Sequence, residues 1–96
     1  MGMGLYLEEE YITKSNIESG LGRYDFLVEP KNKSKRAFLM EFKSTDNIEK
    51  LEEVSKEALK QIENKKYDIS LKQNGIKEIT YIGIAFCGKQ LKIFYR

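Results

Sequence analysis

Three residues stand where a strand pattern should have kept ionisable groups out. Over residues 37–43 the alternation places Phe38, Met40 and Phe42 on one face of a strand and Ala37, Leu39, Glu41 and Lys43 on the other. A face that opens with Ala and Leu and closes with a carboxylate and an ammonium calls for pairing or for use, because a buried charge is expensive unless compensated. Just upstream, Tyr24, Phe26 and Val28 alternate with Arg23, Asp25, Leu27 and Glu29. If the two strands are hairpin neighbours, Asp25 and Glu41 lie side by side. Adjacent carboxylates repel, and a divalent cation is the usual way to neutralise them. Read from the residues alone, an ordinary Lys43–Glu41 surface pair beside an incidental Asp25 explains the pattern equally well.

The remaining inventory narrows the chemistry. The chain has no histidine and a single cysteine, Cys87. Ser-His-Asp and Cys-His catalysis, an internal disulfide and a cysteine zinc cluster are thereby excluded. Carboxylates, lysines and tyrosines are left as acid–base groups. The 96 residues predict one domain spanning 1–96, with an ordinary balance of 41% hydrophobic and 33% charged residues. No run approaches the length of a membrane span and the start does not read as a signal peptide, so a cytoplasmic protein without membrane contact is expected. A net charge of +2 is too small to announce nucleic-acid binding. Lys31, Lys33, Lys35 and Arg36 crowd one loop, and Lys60, Lys65 and Lys66 gather late in a helix. They read first as solubilising charges around turns and helix ends.

Those residues need positioning elements. Tyr11 to Ile17 reads as a strand, Ser19-Gly20-Leu21-Gly22 as a turn, Arg23 to Glu29 as a strand ended by Pro30, and Ala37 to Lys43 as the next. The three are expected to form an antiparallel meander. Asp46 is placed as a helix N-cap with Glu49 three residues on. Ile48, Leu51, Val54, Ala58, Leu59 and Ile62 then recur at helical spacing. Helical structure runs on through Leu71 to a stop at Asn74-Gly75. Glu78 to Phe86 is apolar on both faces, as in a central strand, and Cys87-Gly88-Lys89-Gln90 turns into a last strand, Leu91 to Tyr95. The order is βββαββ, an α/β sandwich with its helix on one side.

An Asp on one strand and Glu-x-Lys on the next, followed by a helix, resembles the PD-(D/E)xK nuclease superfamily. The segments Glu18-Ser19-Gly20-Leu21-Gly22-Arg23-Tyr24-Asp25, Glu41-Phe42-Lys43, Ala58 through Tyr67, and Gly83 through Lys89 resemble one branch of it. That branch occurs as a nuclease-like domain at the C-terminal end of predicted prokaryotic AAA-type ATPases. The resemblance covers residues 11–95 and implies a restriction-endonuclease-like mixed sheet. It also implies a nuclease that uses Mg²⁺, or Mn²⁺ as a substitute, to hydrolyse phosphodiester bonds in nucleic acid, DNA before RNA. Residue by residue, Asp25 and Glu41 match the metal-binding acids, with the Phe42 backbone carbonyl as an extra ligand. Lys43 matches the lysine that serves the attacking water or the pentavalent phosphate. Glu18 reads equally as a third acid or as a solvated turn residue. Gln61 matches a helix glutamine bordering the site; Lys65 shares its helix face, whereas Tyr67, at continuous helical spacing, falls elsewhere. Arg23 is a candidate phosphate contact or an ion-pair partner of Glu29 or Glu41. The family's usual N-terminal helix is expected to be short or missing. That leaves open a homodimer covering an exposed sheet face, an ATPase-domain partner, or a non-catalytic or truncated module that binds nucleic acid or protein.

Overall fold

The computed structural model describes residues 10–18 and 23–96, with the side chains of 16–18, 23 and 24 excepted. The expected turn at residues 19–22 and any N-terminal helix before residue 10 lie outside the described residues. Five strands, β1 (Tyr11–Glu18), β2 (Arg23–Pro30), β3 (Ala37–Ser44), β4 (Ile79–Cys87) and β5 (Gln90–Tyr95), form one sheet in the order β1-β2-β3-β4-β5. Every neighbouring pair is antiparallel except β3–β4, which is parallel. A parallel pair needs a crossover. Here α1 (Leu51–Asn64) and α2 (Tyr67–Gln73) supply it. The α/β class and the order of strands around the helical segment are therefore as the pattern of residues predicts, and the mixed sheet is as the resemblance implies. Among the described residues no helix is long and apolar enough to cross a membrane.

The helical segment starts one residue later than expected. Its cap is Asn47, whose side chain accepts a hydrogen bond from the Glu49 N–H at 3.0 Å, and not Asp46. The reason is that the segment opens as a 3-10 turn, Ile48–Lys50, before α1 begins, so the unsatisfied N–H groups are presented to Asn47. From there α1 buries Leu51, Ser55, Ala58, Leu59 and Ile62 against the sheet. Ser55 tolerates burial because its hydroxyl donates to the Glu52 carbonyl at 2.7 Å.

Between the helices Lys66 takes a left-handed conformation, φ 60° and ψ 28°. A residue with a Cβ enters that region at a cost of about 1–2 kcal/mol, and here it breaks the helical phase. At the other end of α2 the chain stops in a Schellman motif. Gly75 has φ 95°, the Ile76 N–H reaches the Leu71 carbonyl, and the Gly75 N–H reaches that of Lys72. Leu71 and Ile76 are both buried beside this stop.

The core lies between the helices and one sheet face: Ala37, Leu39, Leu59, Ile62, Leu71 and Ile76, with Leu27, Tyr67, Ile79, Tyr81 and Phe94 packed around it. The opposite sheet face is also apolar. There Phe42 stacks on Phe86 with ring centroids 6.0 Å apart, while Leu91, Ile93 and Tyr95 stay exposed. Three of the four basic loop residues are absorbed structurally: Lys33 donates to the Asn74 carbonyl, Lys35 lies 3.7 Å from Glu10, and Arg36 pairs with Glu78 and donates to Thr80.

One close approach sets how near the helix comes. Gly83 is the β4 neighbour of Glu41, and a Cβ there would overlap the Leu59 nitrogen and the Ser55 carbonyl oxygen of α1. With the fully buried Ala85 two residues on, it lets the helix backbone rest directly on β4. Gly83→Ala should therefore push α1 off the sheet and destabilise the protein by about 1–3 kcal/mol, read by chemical denaturation. An unchanged midpoint would show that the helix does not sit where this contact puts it.

Candidate active site

The pairing of β2 with β3 settles the first geometric question. Asp25 is the register partner of Glu41, and Arg23 of Lys43. Strand alternation turns Asp25, Glu41 and Lys43 to the face covered by the helices, the same face as Ala37, Leu39 and Leu27. Asp25 is 4% exposed and Glu41 0%. These are two buried carboxylates on adjacent strands.

What neutralises them comes from a different element. Lys65, the C-terminal cap residue of α1, places its Nζ 2.9 Å from Asp25 Oδ1, 2.8 Å from Oδ2 and 3.0 Å from Glu41 Oε1. Tyr67 donates its hydroxyl to Asp25 Oδ2 at 2.9 Å. Among the described residues Asp25 is thus held by two donors. Glu41 is not: the ammonium is aimed at Asp25 and meets Oε1 as an ion pair without hydrogen-bond alignment, and neither Glu41 oxygen has a hydrogen bond. Burial raises the Glu41 carboxyl above its ordinary pKa, the Asp25 charge adds to that, and Lys65 pulls the other way.

Lys43 lies two residues along β3 from Glu41, about 7 Å at strand spacing. Its ammonium is mostly buried and sits 3.9 Å from Glu57 on α1. The three residues share a face, and among the described residues the cation in direct contact with the carboxylates is Lys65. Gln61 sits one helical turn before Lys65 and accepts its N–H at the backbone carbonyl. Glu57, Gln61 and Lys65 form an i, i+4, i+8 stripe along α1, facing the polar end of β3. Phe42 turns its ring to the opposite face. The side chains of Glu18 and Arg23 lie outside the described residues.

Tyr67 corrects the expectation that it falls away from the site. Continuous helical spacing would have carried it round, but the left-handed Lys66 restarts the chain in a new direction and swings the phenol onto Asp25. No periodicity could have found this, since Lys66 is neither Gly nor Asn. Lys65 was within reach of the pattern: the Glu57-Gln61-Lys65 stripe borders the apolar face and runs toward the carboxylates.

The donor set fits a divalent cation. A wholly buried carboxylate that has an ion pair with Lys65 but no hydrogen bond, beside a second carboxylate, offers hard oxygen ligands of the kind a divalent cation takes. Among the described residues no cluster of three or more His, Cys, Asp or Glu stands ready to hold a metal. A cavity of about 260 Å³, lined by Lys14, Ser15, Asp25, Phe26, Leu27 and Tyr67, adjoins Asp25.

Without metal, the pair should weaken the fold. A raised carboxyl pKa means the folded state prefers neutral Glu41. Its contribution is full below the unfolded value and is lost as pH rises through the folded one. In chelator, Glu41→Gln should therefore be more stable than the native protein at pH 7, by about 1 kcal/mol. The difference should shrink toward pH 4. Urea unfolding across that range is the check, and a destabilised Glu41→Gln at pH 7 would mean that attraction to Lys65 outweighs burial.

Comparison with curated proteins and with solved structures returned no match. The family model of the PD-(D/E)XK nuclease superfamily matches residues 1–95, which takes in every strand and helix described above. With a match over that length, the chain belongs to the PD-(D/E)XK nuclease superfamily.

Proposed function

We propose that this protein is a metal-dependent nuclease that hydrolyses phosphodiester bonds, in DNA before RNA, with Mg²⁺ as its cation and Mn²⁺ as a substitute. The observation that carries the reading is the buried, hydrogen-bond-free Glu41 carboxylate set against Asp25 in a chain of this superfamily. Asp25 and Glu41 would hold the cation, with the Phe42 carbonyl as a further ligand. When bound, a divalent cation lowers the pKa of water and screens phosphate charge.

The rest falls to the chain's own residues. Lys43, kept on the same face by strand alternation and restrained by Glu57, supplies the positive charge for the attacking water or the pentavalent phosphate. Tyr67 fixes the Asp25 carboxylate in orientation. Lys14, on the wall of the adjoining cavity, offers a phosphate contact beside Asp25. Gln61 borders this arrangement from α1, and Glu18 and Arg23 stay candidates for a third acid and a phosphate contact.

A second reading has one observation in its favour. Lys65 already neutralises the carboxylates, as it would in a nuclease fold that only binds nucleic acid or protein. For partners, the apolar sheet face with Leu91, Ile93 and Tyr95 exposed favours a second copy, or an ATPase domain, covering it.

Supercoiled plasmid and single-stranded RNA, each incubated with Mg²⁺ or Mn²⁺, test the activity. Nicking of the plasmid is expected, and absence of cleavage with either metal would reject the nuclease reading. Asp25→Asn and Lys43→Met should each lower the rate by about 10²-fold or more. Lys43→Met should leave stability within about 1 kcal/mol, since its one described ion pair is long.

A further inference from the structure

We propose that Lys65 is a tethered counter-ion that occupies the cation position between Asp25 and Glu41, so that a divalent metal must displace it to bind. The inference rests on reading the carboxylate pair as the metal centre, and adds what holds that centre when no metal is there.

Three carboxylate oxygens lie within 3.0 Å of one ammonium nitrogen, two from Asp25 and one from Glu41. An ammonium and a divalent cation seek the same oxygens with charge of the same sign, so both cannot be accommodated at that contact. The side chain can also leave. The Lys65 side chain is 23% exposed, while those of Asp25 and Glu41 are 5% and 0%. The two acids are fixed on central strands, whereas the lysine reaches them from the end of a helix on a flexible four-carbon stem. Once displaced, its charge stays by the C-terminus of α1, where the helix dipole favours a cation.

The local backbone supports the placement. The left-handed Lys66 follows Lys65 directly and brings the Tyr67 hydroxyl to the same carboxylate, where Lys65 and Tyr67 both contact Oδ2. Tyr67 holds Asp25 whether or not the ammonium is present, and Glu41 depends on Lys65 alone among the described donors. The exchange therefore acts chiefly on Glu41. Lys65 in this role sets the metal concentration at which the site fills, and is a positioning residue rather than a catalytic one.

Mn²⁺ binding, measured by calorimetry on chelator-treated protein, tests this without reference to cleavage. Lys65→Met keeps the stem and removes the charge, and should bind Mn²⁺ at least tenfold more tightly than the native protein. Lys65→Arg, which keeps the charge, should show no such gain. Asp25→Asn should abolish binding in either background, which locates the ion. If Lys65→Met is unfolded in chelator, Mn²⁺ should refold it, as read by circular dichroism; failure to refold at millimolar Mn²⁺ would overturn the proposal. Equal or weaker binding by a folded Lys65→Met, with Asp25→Asn still abolishing it, would overturn the proposal and leave the metal centre standing. No Mn²⁺ binding by either the native protein or Lys65→Met would overturn the metal centre itself, and the counter-ion role with it.

Discussion

Two carboxylates buried side by side raise the free energy of a small fold unless something positive stands between them. Much of the structure around Asp25 and Glu41 answers to that constraint. Their strands pair in a register that makes them neighbours, Gly83 lets α1 close over them, and the end of α1 delivers Lys65 to their shared edge. Small side chains on β4, the helix stop at Lys65 and the left-handed residue after it all serve this one contact. Loss of the Lys65 contact would leave Glu41 buried without the cation beside it, while Tyr67 still holds Asp25.

The compensation is uneven, and that unevenness has chemical meaning. Asp25 has both Lys65 and Tyr67, whereas Glu41 has an ion pair and no aligned donor. A carboxylate left in that condition at 0% exposure is unfavourable for the resting protein and favourable for a ligand that brings positive charge. Sites that bind metal often sacrifice some stability in this way. Membership of the nuclease superfamily supplies the context in which such a pair is useful.

Lysine chemistry is divided between two positions. Lys43 belongs to the strand and is held toward Glu57, clear of ion-pair distance to the acids among the described contacts. Lys65 belongs to the helix and sits on them. Three of the four basic residues in the loop between β2 and β3, by contrast, are spent on Asn74, Glu10, Glu78 and Thr80 at the far end of those strands.

Much of this was legible in the residues themselves. Period-two alternation placed Asp25, Glu41 and Lys43 on one face, because a strand leaves side chains no other choice. Apolar residues on both faces of 78–86 marked a central strand, and Asn74-Gly75 marked the end of the helices. Local pattern carries such features because they depend on backbone geometry within a few residues. The start of the helical segment was missed by one position, since a 3-10 turn and an α-helix present their free N–H groups to different neighbours. The partners of the carboxylates needed the tertiary structure. Lys65 and Tyr67 lie some forty residues from Asp25 along the chain, and their contact depends on how closely α1 rests on Gly83 and on a left-handed turn at a lysine. Tyr67 has no local signature and Lys65 only its place on the Glu57-Gln61-Lys65 stripe, because packing rather than propensity holds them. The sequence by itself determined which groups share a face; the fold alone decided which cation reaches them.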